Sequence, residues 1–270
     1  MDVMVRQVSP FLKWAGGKRW LAEKHLERFP AVQKRYLEPF LGSASVFFKL
    51  NPQDAILSDA NPRLIECYEQ ISTCPTAVEA ILLEHAANHS KDHYYEVRAA
   101  QYQQPAARAA QFLYLNRTCW NGLYRVNRKG EFNVPKGTKE NVILPSDDFI
   151  AVSHRLRNAR LQCCDFEATI DQAVKGDLVY ADPPYTVQHN FNGFLKYNEK
   201  IFSWADQIRL RDAVVRAANR GVHVVVSNAA HSSVIELYEG LGSTLTIKRS
   251  SVLAASSLNR GTVDEILVLL

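Results

Sequence analysis

The chain has 270 residues, 47% of them hydrophobic and 22% charged, and a net charge of +4. That is enough apolar content for a core and too much for disorder, and the length fits one α/β domain with an insertion. No apolar run approaches the about 18 residues of a membrane span, residues 1–10 hold no signal-peptide core, and the five cysteines form no Cys-x-x-Cys pair. A monomeric cytoplasmic protein with reduced thiols is expected. The eight histidines show no zinc spacing, so no metal is expected. With so small a net charge, a nucleic-acid surface must show as a local concentration of cations.

The first informative stretch is Phe11-Leu12-Lys13-Trp14-Ala15-Gly16-Gly17-Lys18. Gly16 and Gly17 allow backbone to approach a ligand closely. Lys18 opens an expected helix running to about Phe29. The stretch is like the end of a P-loop, but the first glycine is missing and Arg19 stands where Ser or Thr is required, which argues against ATP. A solvated lysine at a glycine turn is the plain alternative. Next, Tyr36-Leu37-Glu38-Pro39-Phe40-Leu41-Gly42 reads as a strand and a turn of small residues, with a helix over Ser45–Phe48. That is the first βα unit of a nucleotide-binding sheet. Ala55–Asp59 is a second strand ending in an acid. Asp59 lies 17 residues after Gly42, near the spacing of an acid that binds ribose hydroxyls. An N-cap for the helix begun by Asn61-Pro62 is the competing role.

Residues 63–110 read as helical. From Gln111 the composition changes to aromatics, asparagines and arginines interleaved with glycines, through Asn116-Arg117-Thr118-Cys119-Trp120-Asn121-Gly122-Leu123-Tyr124-Arg125 to Phe132-Asn133-Val134-Pro135. Arg117, Arg125, Arg128, Lys129, Lys136 and Lys139 face only Glu131 and Glu140 here, so cationic charge is concentrated. Arg and Asn read base edges bidentately, and aromatics wedge or stack. A polar surface hairpin is the alternative for any one of these residues. It explains the whole run less well, because exposed aromatics are costly without a partner.

Further strands are expected at Leu161–Asp165, Leu178–Ala181, His223–Asn228, Thr244–Lys248 and Glu265–Leu269, with helices near Asp148–Asn158 and Trp204–Asn219. Asp165 ends a strand where a third acid could meet a ligand's base; an ordinary loop acid is equally compatible. The Leu178–Ala181 strand runs into Asp182-Pro183-Pro184-Tyr185, at the carboxyl edge where open α/β sheets bind ligands. A carboxylate and a carbonyl held rigid by proline can accept both N–H bonds of an aromatic amine and localise its lone pair for attack. Tyr185 offers a face for a flipped base. The alternative is a strand ending in a Pro-Pro turn. The long Thr186–Ser203 connection beside these residues is expected to be a binding loop, poorly ordered without substrate.

Together these motifs resemble the Dam family of DNA adenine-N6 methyltransferases, in the family's α-class order and over nearly the whole chain. The resemblance implies a Rossmann-like S-adenosylmethionine-dependent methyltransferase sheet, residues 1–62 and 151–270, with a mainly helical target-recognition domain inserted at 63–150. It implies a catalytic Asp182-Pro183-Pro184-Tyr185. The cofactor residues are then Trp14, Gly16, Gly17, Lys18, Glu38, Phe40, Gly42, Asp59, Asp165 and Asp182. Contacts to double-stranded DNA fall to Lys13, Arg117, Trp120, Asn121, Leu123, Arg125, Asn133 and Pro135. Trp120 takes the place of a helix-wedging aromatic, Arg125 of a guanine reader, and Pro135 of a thymine-methyl contact. One departure stands out: Gly137-Thr138-Lys139 replaces the Gly-Arg-Tyr common in members acting on GATC. The implied target is GATC or a longer site containing it. Protection of host DNA beside a restriction nuclease and strand marking both suit the chain. RNA adenine methylation, and a non-catalytic DNA-binding regulator with the same fold, are the alternatives.

Overall fold

The computed structural model describes residues 8–127, 129–187, 202–250 and 262–270. Most of the expected binding loop, 188–201, lies outside the described residues. The strands are β1 (Tyr36–Glu38), β2 (Ala55–Asp59), β3 (Ala159–Cys163), β4 (Leu178–Ala181), β5 (His223–Ala229), β6 (Ser243–Ser250) and β7 (Thr262–Leu269). The helices are α1 (Arg19–Lys24), α2 (Ser45–Leu50), α3 (Pro62–Thr73), α4 (Pro75–Ala87), α5 (Lys91–Ala99), α6 (Pro105–Thr118), α7 (Phe149–Leu156), α8 (Phe166–Ile170), α9 (Trp204–Asn219) and α10 (Ser232–Leu237). The chain divides into two compact units.

The first unit, Met1–Arg28, Leu41–Gln53 and Asp59–Cys163, is mainly helical. Proline opens α3, α4 and α6, where its missing N–H would have had no helical partner anyway. Asn61 caps α3, its side chain accepting from the Arg63 and Leu64 amides. The helix expected from Lys18 to Phe29 stops at Lys24: His25 turns out of helical geometry at φ −139°, and Leu26–Arg28 forms a separate 3₁₀ turn. Helix α6 is the centre of the unit. It is buried continuously from Ala109 to Thr118, with α3 and α4 packed on it. Its alanines allow that close approach on more than one side. Phe11 fills the neighbouring core, edge-on to Phe48, Tyr68 and Phe149.

The second unit, Phe29–Phe40, Asp54–Ser58 and Cys164–Leu270, is built on a sheet. Its strands pair in the order β2-β1-β4-β5-β7-β6. The first four are parallel, and β7 runs antiparallel between β5 and β6. Strands β1, β4 and most of β5 are buried at every position. That is why they read as unbroken apolar runs rather than alternating ones. On one face, Leu37, Val179, Val224, Val226 and Ile266 join Phe166, Leu210, Val214 and Tyr238 in a single core. A capping box between Ser203 and Asp206 starts α9.

The chain continues from β1 to β2 on one side and from β4 to β5 on the other. The switch point of the sheet therefore lies between β1 and β4. Their register, Tyr36 with Leu178 and Leu37 with Val179, brings Glu38 and Asp182 to the carboxyl edge there, the place where such sheets bind ligands.

Candidate active site

In the first unit a cluster forms around Gly42. Its amide donates to Asp59 Oδ2 at 3.3 Å, and its carbonyl accepts from the Tyr68 hydroxyl at 3.0 Å. Gly42 has φ +47°, and a Cβ there would lie 2.8 Å from Trp14 Cδ1. Only glycine fits, so bare backbone faces the edge of the indole. Trp14 itself is stacked on Phe112 and Tyr124, with ring planes 29° and 22° apart. The glycine turn brings the Gly17 amide onto the Trp14 carbonyl at 3.0 Å. Buried Lys18 donates its ammonium to the Gly16 carbonyl at 2.8 Å. Asp59 also accepts from the Asn61 amide at 3.0 Å. Burial pushes the Asp59 carboxyl up to about 6, opposed by its backbone N–H bonds. Asn61 does the capping, so Asp59 orders the turn behind Gly42. A side-chain-free backbone at buried Gly42, a carboxyl acceptor and the edge of half-buried Trp14 suit a hydroxylated, adenosine-like ligand such as S-adenosylmethionine.

In the second unit a polar chain runs along the sheet edge. Ser227 Oγ lies 2.7 Å from Asp182 Oδ1, which accepts its hydrogen, and 3.0 Å from the Tyr180 hydroxyl. Burial, then the Asp182 charge, holds the Tyr180 phenol well above its ordinary pKa, so it remains a neutral hydroxyl. Pro183 is buried behind half-buried Asp182, while Pro184 and Tyr185 are half-buried. Tyr185 donates its hydroxyl to Glu265 Oε2 at 2.7 Å. Glu38 is buried and accepts from Tyr36 at 2.9 Å. Phe40 stacks on Phe166 and meets Phe202 edge-on. Asp165 caps α8 through the Glu167 amide and pairs with Arg209 at 2.9 Å.

The sequence-predicted DNA contacts all lie in the first unit. After α6 the chain makes a 3₁₀ turn, Trp120–Gly122, with Asn121 at φ +55° and Gly122 at φ +65°. Trp120 is 51% exposed, with its amide tied to the Pro135 carbonyl. A cramped Gly137, whose Cβ would lie 2.5 Å from the Cys119 carbonyl oxygen, closes this hairpin base. Along the hairpin, Arg125 donates to Asn133 Oδ1 at 2.8 Å, and Asn133 donates its amide back to the Arg125 carbonyl at 3.1 Å. Asn116 clamps Lys13 through both amide atoms. Burial, then Lys139 and Arg117, lower the Lys13 pKa. Leu123 is half-buried, and Asn121 and Pro135 are exposed.

Arg117 requires a correction. It is 0% exposed, and its guanidinium is committed to Asp147 at 2.6 and 2.7 Å and to the carbonyls of Val142 and Phe11. It ties the Asp147 turn to α6 and has no surface for DNA. Sequence reasoning also missed Ser227, Tyr68 and Glu265. Ser227 carried a signal, as a hydroxyl ending a run of three valines at the same sheet edge. The other two became visible only through tertiary pairing.

Among the described residues, no group of three His, Cys, Asp or Glu is placed to hold a metal, and no helix is long and apolar enough to cross a membrane. Of His85, His89 and His93, spaced four residues apart, His85 Nδ1 lies 3.2 Å from His93 Nε2, and His89 Nδ1 lies 2.7 Å from the Tyr114 hydroxyl.

Residues 14–252 match the family model of the D12 class N6 adenine-specific DNA methyltransferases. The Type II methyltransferase M1.LlaDCHI of Lactococcus lactis subsp. cremoris is 35% identical over 270 residues, spanning 97% of this chain and 95% of its own. The Type II methyltransferase M.MjaIII of Methanocaldococcus jannaschii is 32% identical over 286 residues, spanning 97% and 99%. A DNA adenine methylase of Vibrio cholerae serotype O1 is 33% identical over 270 residues, spanning 98% and 97%. With that coverage, and with an acid-proline-proline-tyrosine edge on a mostly parallel sheet, the chain belongs to the D12 class of N6 adenine-specific DNA methyltransferases.

Proposed function

We propose that the chain methylates N6 of an adenine extruded from duplex DNA, within GATC or a longer site containing it, with S-adenosylmethionine as donor. The observation that carries this reading is the Asp182 carboxylate, bonded by Ser227 at 2.7 Å beside buried Pro183. An adenine amine is a poor nucleophile because its lone pair is delocalised into the ring. Asp182 accepts one of its N–H bonds and the Pro183 carbonyl accepts the other, which localises the lone pair on nitrogen. Tyr185 stacks on the extruded ring. The donor, when bound, supplies a methyl carbon made electrophilic by its sulfonium. Trp14, Gly42 and Asp59 hold it, with Asp59 accepting from ribose hydroxyls.

Target recognition in this reading lies within 63–150, helped by Lys13. Exposed Trp120 enters the helix, with Asn121 and Leu123 beside the opened pair. Arg125, braced by Asn133, reads a guanine, and Pro135 meets a thymine methyl. Sequencing of modified DNA from a methylation-free host that expresses the chain tests both base and site. N6-methyladenine confined to GATC-containing sequences is expected. Unmodified DNA, with specific binding retained, would instead identify a non-catalytic regulator.

A further inference from the structure

Glu265 plays no part in the mechanism above, yet it is a carboxylate buried to 3% exposure. It lies on β7, paired in register with Ala229 of β5 and Ile247 of β6, and is followed by Ile266, Leu267 and Val268. A carboxylate in such surroundings is costly unless it is hydrogen-bonded. Its Oε2 takes the Tyr185 hydroxyl at 2.7 Å. A bond from a phenol to an anionic oxygen is among the stronger hydrogen bonds. Burial, then the charges of Asp182 and Glu265, hold the Tyr185 phenol well above its ordinary pKa, so Tyr185 remains the donor throughout the working pH range.

We propose that Glu265 is a positioning residue for methyl transfer: its buried carboxylate anchors the Tyr185 ring as the platform on which the target adenine stacks. The proposal rests on the base-extrusion reading given above. Tyr185 is the last residue of the tetrad, and a long connection follows it. The bond to strand β7 ties the orientation of the ring to the sheet. The bond also makes the ring face more electron-rich. In the transfer, the N6 lone pair forms the new N–C bond. The C–S bond breaks with its electrons going to sulfur, and the positive charge passes to the adenine until N6 releases a proton to solvent. An electron-rich face beneath that ring favours the developing cation.

The test uses the full chain with a duplex carrying 2-aminopurine at the target position, together with single-turnover transfer to an ordinary duplex. Wild type, Glu265→Gln, Tyr185→Phe and the double variant are compared, with thermal melts as a control on folding. Glu265→Gln is expected to slow transfer roughly tenfold to a hundredfold, the range of small misplacements at a reacting centre. Affinity for S-adenosylhomocysteine should stay within about twofold, because that ligand is held elsewhere. The fluorescence lifetime of bound 2-aminopurine should lengthen in both single variants, as quenching by the stacked ring is lost. Glu265→Gln keeps a carbonyl acceptor but removes the charge that strengthens the bond, whereas Tyr185→Phe removes the bond outright and gives the answer even if Glu265→Gln folds poorly. The double variant should be no slower than the slower single variant. Unchanged rate and lifetime in both single variants, or losses that multiply in the double, would overturn the proposal. If wild-type protein transferred methyl groups without altering 2-aminopurine fluorescence, the base-extrusion reading itself would fail, and the platform with it.

Discussion

Ser227 on β5 donates its hydroxyl hydrogen to the Asp182 carboxylate at the end of the neighbouring parallel strand, over 2.7 Å. A buried side chain thus sets the direction of the acid that the proposed mechanism uses. The Tyr180 hydroxyl, 3.0 Å from the same serine oxygen, extends the chain into the sheet.

Removing that hydroxyl in Ser227→Ala takes away a bond that orients the Asp182 carboxylate. A hydrogen bond to a charged group contributes about 1.5–3 kcal/mol, so single-turnover transfer should fall roughly tenfold to a hundredfold. Binding of S-adenosylhomocysteine should stay within about twofold. An equal loss in binding and in rate would mean that Ser227 serves the ligand pocket and not the acid.

Asp59 sets a pH dependence on donor binding. Its carboxyl is raised to about 6 by burial, so the neutral form predominates in the free protein only below about pH 6. This group's stabilising effect is full below its unfolded value and is lost as pH rises through about 6. Ribose hydroxyls hydrogen-bond the charged form, so binding draws the pKa down and releases a proton. Affinity measured by calorimetry should therefore be constant above about pH 7 and weaken below pH 6, by up to about tenfold per unit. Asp59→Asn should be weak throughout and flat. A wild-type affinity that does not change between pH 5 and 8 would exclude this role.

Arg117 and Trp120 separate folding from recognition. Arg117→Ala leaves Asp147 buried without its cation, a loss expected to cost about 3–5 kcal/mol and to show as a large drop in Tm. Trp120→Ala, at a site 51% exposed, should change stability by no more than about 0.5 kcal/mol. It should nevertheless lower transfer to duplex DNA. A normal Tm for Arg117→Ala would return that residue to the list of possible DNA contacts.

The strands of the second unit were legible because burial on both faces gives unbroken apolar runs, and their polar ends marked the sheet edge. Asp182 and Asp59 followed from that position. Arg117 did not. Its arginine-rich neighbourhood reads as a cationic surface, and only tertiary folding brings Asp147 and two carbonyls onto it. Helix α6 hid its central place for a related reason, since a helix buried on several sides has no polar face to give it period. Glu265 was legible only as the first residue of an expected strand. Its partner lies 80 positions away, a separation that local patterning does not reach. The end of α1 at Lys24 has no evident signal in the sequence.

The most direct measurement is single-turnover transfer of a labelled methyl group to target duplex DNA by Asp182→Ala, with circular dichroism to establish the fold. Loss of a preorganised group at a reacting centre predicts a fall of about a hundredfold to a thousandfold or more in a protein that remains folded and still binds S-adenosylhomocysteine. A folded variant that methylates adenine at a near-normal rate would contradict the assignment of Asp182, and with it the account of how this sheet edge activates the amine.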